Sequence, residues 1–150
     1  MVDTIGSLTI RAGHAVVFGV VYLFTTTTQV QAQAQAASYT TSQAQAGEEA
    51  YQNLCASCHM VDLAGAFEAP QLAGPDFLNM WGGRPAGDLF DYIKVAMPPA
   101  GRKPGDEAFM DIVAYILRQN GMEAGDTPFA AKANGAIDTT APVPPFGSSR

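Results

Sequence analysis

One motif constrains this chain more than any other feature, the stretch Cys55–His59 with the sequence CASCH. Two thiols three positions apart, with a histidine directly after the second, form the attachment signature of a c-type haem. Each thiol can form a thioether with one vinyl group of the porphyrin, and the spacing suits one turn of helix. His59 then falls beneath the iron, where an imidazole nitrogen can act as an axial ligand. The motif predicts one covalent haem c, bound through Cys55 and Cys58.

Other uses of two cysteines fit this chain less well. A structural zinc site needs four ligands, whereas the chain has two cysteines and two histidines, and His14 lies in the N-terminal segment. A thioredoxin-like redox pair would be accompanied by a βαβ pattern, and the flanking residues are typical of helix and loop. A structural disulfide would give no role to His59. We therefore expect both thiols to be consumed as thioethers, with no disulfide and no free thiol.

The N-terminal segment, residues 1–36, is typical of an export signal. Its apolar run, residues 15–24, is short for a transmembrane helix, which needs about 20 apolar residues. The Gln-Ala repeat that follows offers small-x-small cleavage sites after Ala32, Ala34 or Ala36, and the sequence does not choose among them. An uncleaved membrane anchor is the alternative.

Residues 47–121 are expected to form one folded domain, between a flexible leader at 37–46 and a disordered tail at 122–150. The leader is small and polar, and the tail is rich in Pro, Gly and Ala without a sustained hydrophobic period. Apolar residues at helical spacing predict helices in the domain, at 47–58, 76–81, 87–96 and 106–119. A domain of this size often needs a staple beyond its own core, and a covalent haem supplies one.

These features resemble the class I cytochromes c, small electron carriers with one haem, over residues 47–121. The resemblance rests on the CASCH motif, on a Met-Pro loop after the third helix and on the pattern of the last helix. It implies an all-α fold, with three to five short helices wrapped around one covalently bound haem. In bacteria this kind of haem attachment takes place outside the cytoplasmic membrane, so the resemblance also implies a periplasmic protein.

The resemblance further implies a second axial ligand, because the class places a methionine in the Met-Pro loop. Met97 precedes Pro98 at that position, and the proline disfavours helical geometry at Met97. Met80 lies within a short predicted helix, where we expect a core side chain. His59 and Met97 are therefore the predicted iron ligands.

Two packing arrangements are also implied by the resemblance. The Pro-x-Leu-x-Gly segment that begins at Pro70 is similar to one whose proline carbonyl accepts the proton of the axial histidine. An ordinary proline-glycine turn is the alternative. Gly47 and Tyr51 match a glycine and an aromatic residue that pack against the last helix, where Tyr115 is the expected partner.

The stretch from Trp81 to Arg84 is similar to the small cytochromes that serve periplasmic quinoprotein dehydrogenases. The indole N–H of Trp81 and the guanidinium group of Arg84 are candidate partners for the two haem propionates. The alternatives are simple packing of Trp81 and a solvated Arg84.

Charge and motifs together indicate electron transfer. The net charge of −6 at pH 7 does not favour nucleic acid as a partner, and it suits a redox protein with a positive patch, docked more weakly at high salt. We expect a dehydrogenase as electron donor and an oxidase or another cytochrome as acceptor, with membrane contact only if the N-terminal segment stays uncleaved. No catalytic carboxylate pair or nucleophile is recognisable, so we do not expect an enzyme. The alternatives are a redox subunit of a larger dehydrogenase or oxidase complex, and a haem enzyme or gas sensor with an open iron position.

Overall fold

The computed structural model describes residues 36–132 and 135–143, and this part of the chain is helical, with isolated β-bridges but no strand. Its helices are α1 (Thr41–Leu54), α2 (Ala56–His59), α3 (Pro75–Trp81), α4 (Ala86–Ala96) and α5 (Asp106–Gln119). The predicted all-α class is therefore confirmed. None of the helices in the described ranges is long and apolar enough to cross a bilayer. The predicted signal segment lies outside the described residues, apart from Ala36.

The first helix begins six residues earlier than the sequence pattern predicts. The side chain of Thr40 caps it by accepting a hydrogen bond from the backbone N–H of Gln43 at 3.2 Å, as expected of an N-cap threonine. Tyr39 and Ala44 are fully buried, so the predicted flexible leader at 37–46 is wrong. The small, polar composition of the leader suggested a flexible segment. Alanine and glutamine nevertheless favour helix once an N-cap and a packing surface are present.

The backbones of α1 and α5 come into close contact where the two helices cross. A Cβ atom at Gly47 would lie 1.8 Å from the backbone oxygen of Asp111, so only glycine permits this contact. One turn later the rings of Tyr51 and Tyr115 pack with their centroids 5.1 Å apart. The packing of Gly47 and Tyr51 against the last helix, implied by the resemblance, is therefore observed; Tyr115 is the partner of Tyr51, whereas Gly47 meets the backbone of Asp111.

The described part of the C-terminal tail packs onto the domain, so the predicted disorder from residue 122 onward is wrong there. Met122, Phe129 and Ile137 are buried in the core. They are spaced too widely for a helical or strand period, which is why the pattern gave no signal. Residues 133–134 and 144–150 lie outside the described ranges.

Backbone hydrogen bonds connect the tail to both the leader and the turn between α3 and α4. The N–H of Ala37 donates to the carbonyl of Ala136 at 2.9 Å, and the N–H of Gly125 donates to the carbonyl of Tyr39 at 2.8 Å. Ile137 accepts from the N–H of Gly83 at 2.8 Å and donates to the carbonyl of Arg84 at 2.9 Å. The two chain ends thus form a terminal clasp, residues 36–40 with the described part of 122–143, beside the helical core.

Candidate haem site

A cavity of about 710 Å³ lies among the helices, within the range of roughly 300–1,000 Å³ typical of cofactor sites. Its lining is mostly apolar and includes Phe77, Trp81, Leu89, Ile93, Phe109 and Ile112. Cys55, Cys58, His59 and Met97 all contribute to the same lining. The structure therefore brings the four sequence-predicted site residues to one cavity.

The two cysteines are placed by one turn of backbone. The carbonyl of Cys55 accepts hydrogen bonds from the N–H of Cys58 at 3.1 Å and from that of His59 at 2.9 Å, which fixes the three side chains relative to one another. Burial, and secondarily the nearby Cys58, raises the pKa of the Cys55 thiol to about 11. Redox-active dithiols instead depend on a lowered thiol pKa. The environment of Cys55 thus gives no support to a thioredoxin-like pair.

The imidazole of His59 has a defined orientation. His59 is 7% exposed, and its Nδ1 lies 2.8 Å from the carbonyl oxygen of Pro70. Because a carbonyl can only accept, Nδ1 carries a proton, and in the neutral tautomer with this proton Nε2 is the nitrogen that can bind a metal. A hydrogen bond of this kind fixes the ring of a histidine ligand and raises its donor strength. Pro70 thus occupies the position that the resemblance implied.

The backbone after His59 is tied to α1 and folded back on itself. The hydroxyl of Tyr51 donates to the carbonyl of Met60 at 2.7 Å. The N–H of Gly65 donates to the carbonyl of His59 at 3.0 Å. Gly65 has a φ of +72°, and a Cβ there would lie 2.5 Å from the backbone oxygen of Ala69, so glycine is required at this turn. The loop that presents Pro70 to His59 is therefore fixed from inside the domain.

Asn120 joins the last helix to this loop, a role that sequence reasoning missed. It is fully buried; its Oδ1 accepts from the N–H of Gly74 at 3.0 Å, and its Nδ2 donates to the carbonyl of Leu72 at 3.0 Å and to that of Ile116 at 2.8 Å. The sequence pattern assigns Asn120 only to the end of α5, where asparagine is common. A polar residue directly after an apolar stripe was the available signal, and it does not distinguish a buried amide from an exposed cap.

Met97 reaches the cavity from the end of α4. Its own N–H still closes the helix on the carbonyl of Ile93 at 2.8 Å, while its backbone is already extended. The side chain is partly buried against the core. Pro98 and Pro99 continue along the cavity lining, as predicted for a proline-bounded loop.

Met80 does not have the core position that the sequence analysis assigned to it. Its side chain is 59% exposed and contributes to the cavity lining. The reason is the short length of α3, whose buried face is filled by Phe77 and Trp81. Two methionines, Met80 and Met97, therefore line the cavity.

Arg84 is engaged close to Trp81 but is not part of the cavity lining. Its guanidinium carbon lies 4.2 Å from the centroid of the Trp81 ring, and its Nη2 lies 3.5 Å from the carboxylate of Asp88. The charged residues that line the cavity are Glu68 and Asp76. The pairing of Trp81 and Arg84 with haem propionates stays a prediction.

Comparison with known protein families gives a match over the helical core. A family model described as cytochrome C oxidase, cbb3-type, subunit III, matches residues 42–116, which is half of the chain. No curated protein and no solved structure matches. The whole cavity lining, from Leu54 to Ile116, falls inside the matched range.

Proposed function

The chain belongs to the family of cytochrome C oxidase, cbb3-type, subunit III, and from this premise we propose that it is an exported electron carrier whose single haem is attached to Cys55 and Cys58 and ligated by His59 and Met97. A cytochrome c domain of this family implies a covalently bound haem c and electron transfer rather than catalysis. The attachment sites, the ligands and the location are the proposal.

The observation that supports it best is that the two cysteines, His59 and Met97 all line one cavity. Two thiols one helical turn apart can form two thioethers, and a neutral imidazole with its proton on Nδ1 offers Nε2 to iron. The thioether of Met97 is a soft, neutral donor, which favours ferrous iron and a high potential. When bound, the haem supplies one-electron transfer between ferric and ferrous iron.

The protein's own residues then have three tasks. The Cys55–Cys58 turn holds the group in place, and the carbonyl of Pro70 keeps His59 oriented and basic. The apolar lining excludes water, so that the ligands, and not solvent, determine the electrostatics of the site.

A comparison of the two cavity methionines tests the proposed ligand. Met97→Ala should abolish the charge-transfer band of methionine-ligated ferric haem, lower the potential and allow carbon monoxide to bind the ferrous protein rapidly. Met80→Leu is the matched control and should leave the band in place. The reverse result would assign ligation to Met80, and rapid carbon monoxide binding by the unaltered protein would favour a haem enzyme or gas sensor.

Covalent attachment and export are tested on the mature protein. Haem should remain on the polypeptide in a denaturing gel, and the intact mass should equal the processed chain plus one haem. N-terminal sequencing should begin between Gln33 and Ala37. Recovery of the full-length chain only in membranes would instead support an uncleaved anchor.

The family description also favours a second candidate, a redox subunit of a larger oxidase. The net charge of −6 suits docking to a positively charged surface. Size measurement on native extract distinguishes the two: a free carrier should elute near its own mass, and a subunit should co-elute with an oxidase in low salt. Because surface charges are screened, a complex held by electrostatics should weaken as salt is raised.

A further inference from the structure

The loop that carries Met97 is closed at its base by two lysines. The ammonium group of Lys103 donates to the carbonyl oxygen of Lys94 at 3.0 Å and also to that of Val95. The ammonium group of Lys94 lies 2.6 Å from the carboxylate of Asp106. Lys103 therefore ties the far end of the loop to the last turn of α4, and Lys94 ties that turn to the start of α5.

The two carbonyls that Lys103 contacts are the ones that the sequence leaves without helical donors. In an α-helix the carbonyl of residue 94 would accept from the N–H of residue 98, and that of residue 95 from residue 99. Pro98 and Pro99 stand at those positions, and proline has no N–H. Both carbonyls also lie at the negative end of the helix dipole, where a cation is stabilising. One ammonium group thus replaces two missing donors.

We propose that Lys103 is a positioning residue for Met97, an inference that rests on the proposed function because it takes Met97 as the iron ligand. Two prolines after Met97 direct the chain away from the helix and leave the carbonyls of Lys94 and Val95 without backbone donors. Lys103 donates hydrogen bonds to both carbonyls from the other end of the loop, so that residues 97–102 form a short closed segment. Opening of this segment is the motion that would carry the Met97 sulfur away from the iron.

Carbon monoxide binding measures that opening, since it requires Met97 to leave ferrous iron. Lys103→Leu leaves a shorter aliphatic side chain and removes the ammonium group. A charged contact at a helix C-terminus changes an equilibrium by about two- to five-fold, so the binding rate at low carbon monoxide should rise by that factor. Lys103→Arg should restore the slow rate, because a guanidinium group can donate to both carbonyls.

The matched control is Arg102→Leu, which removes the same charge from the adjacent exposed position. It should bind carbon monoxide at the unaltered rate. The methionine charge-transfer band, followed in denaturant, should disappear earlier in Lys103→Leu than in the control, while helix unfolding by circular dichroism coincides in the two.

The outcomes separate the inference from its premise. Equal rates for Lys103→Leu, Arg102→Leu and the unaltered protein, with the methionine band present, would overturn the positioning role and leave Met97 as the ligand. An equal rise in both variants would assign the effect to loop charge and also overturn it. Absence of the band from the unaltered protein would remove the ligand assignment, and the inference with it.

Discussion

The segment that carries His59 and the segment that carries Met97 are held in different ways. Residues 55–74 are anchored from inside the domain, by the hydroxyl of Tyr51 and the amide of Asn120, both on fully buried side chains. Residues 97–105 are closed at the surface by lysine contacts. The side chains of Lys94 and Asp106, which join the last turn of α4 to the start of α5 on either side of this loop, are 44% and 58% exposed.

The difference predicts which segment opens first. A buried hydrogen-bonding group left without its partner costs about 1–3 kcal/mol, whereas an exposed ion pair contributes about 0.2–1 kcal/mol. We therefore expect the His59 segment to stay in place whenever the domain is folded, and the Met97 segment to open locally before the domain unfolds. The proposed ligand His59 is thus fixed by the core, and the proposed ligand Met97 lies on a loop that a few surface contacts close.

The same substitution should give the largest contrast between the Met97 loop and the crossing of α1 and α5, where α1 also carries Tyr51. Gly47→Ala places a methyl group 1.8 Å from the backbone oxygen of Asp111. Since backbone cannot move aside as a side chain can, the cost should exceed the usual range and reach about 4 kcal/mol. Denaturant unfolding of the haem-loaded protein measures it.

Gly105→Ala is the matched control at the end of the Met97 loop. Gly105 has a φ of −75°, and no atom lies within 4 Å of its Cβ position. The change should stay within about 0.5 kcal/mol. Similar costs at the two glycines would contradict the proposed difference between the buried helix crossing, on which the Tyr51 anchor depends, and the Met97 loop.

Asn120→Ala should cause the next largest loss in the free energy of unfolding. It leaves the N–H of Gly74 and the carbonyl of Leu72 without their partner, and we expect a loss of about 2–3 kcal/mol. Asn53→Ala removes an asparagine whose exposed amide donates to Glu49, and it should cost much less. If the two variants unfold at the same denaturant concentration, Asn120 does not anchor the loop.

Tyr51→Phe should follow at about 1 kcal/mol, the usual value of one hydrogen bond, because it removes only the hydroxyl, which donates to the carbonyl of Met60 at 2.7 Å and lies 3.3 Å from that of His59. Tyr92→Phe is the control, since Tyr92 is 52% exposed. The methionine band should persist in both variants up to global unfolding. Early loss of the band in Tyr51→Phe would mean that the two segments are coupled.

Much of the core architecture could be predicted from local pattern. The fourteen-residue α5 has the predicted bounds because its apolar stripe, acidic first turn and Asn-Gly end all agree. The Cys55–His59 turn is specified by spacing alone. The roles of Pro70 and Gly47 were implied by the resemblance, because no local sequence pattern around either residue indicates which residue it contacts.

The remaining features depend on contacts that are distant in sequence. Tyr39 packs beneath a tail that begins more than eighty residues later, and a small polar leader gives no sign of that partner. The amide of Asn120 and the ammonium group of Lys103 form hydrogen bonds with backbone groups of other segments. The sequence predicts that α4 ends before Pro98 and Pro99 and that the carbonyls of Lys94 and Val95 lack helical donors. It does not indicate that Lys103 is the side chain that reaches them.

The smallest expected loss of stability comes from removing the ion pair beside the Met97 loop. Lys94→Gln removes the contact to Asp106, and because both side chains are about half exposed the loss in global stability should be about 0.5 kcal/mol. In 1 M salt the Debye length falls to about 3 Å, so the difference from the unaltered protein should nearly vanish. Arg102→Gln controls for the change in net charge and should match the unaltered protein at both salt concentrations. A salt-independent loss as large as that of Asn120→Ala would show that the loop is anchored as firmly as the His59 segment, and the distinction between the two regions would fail.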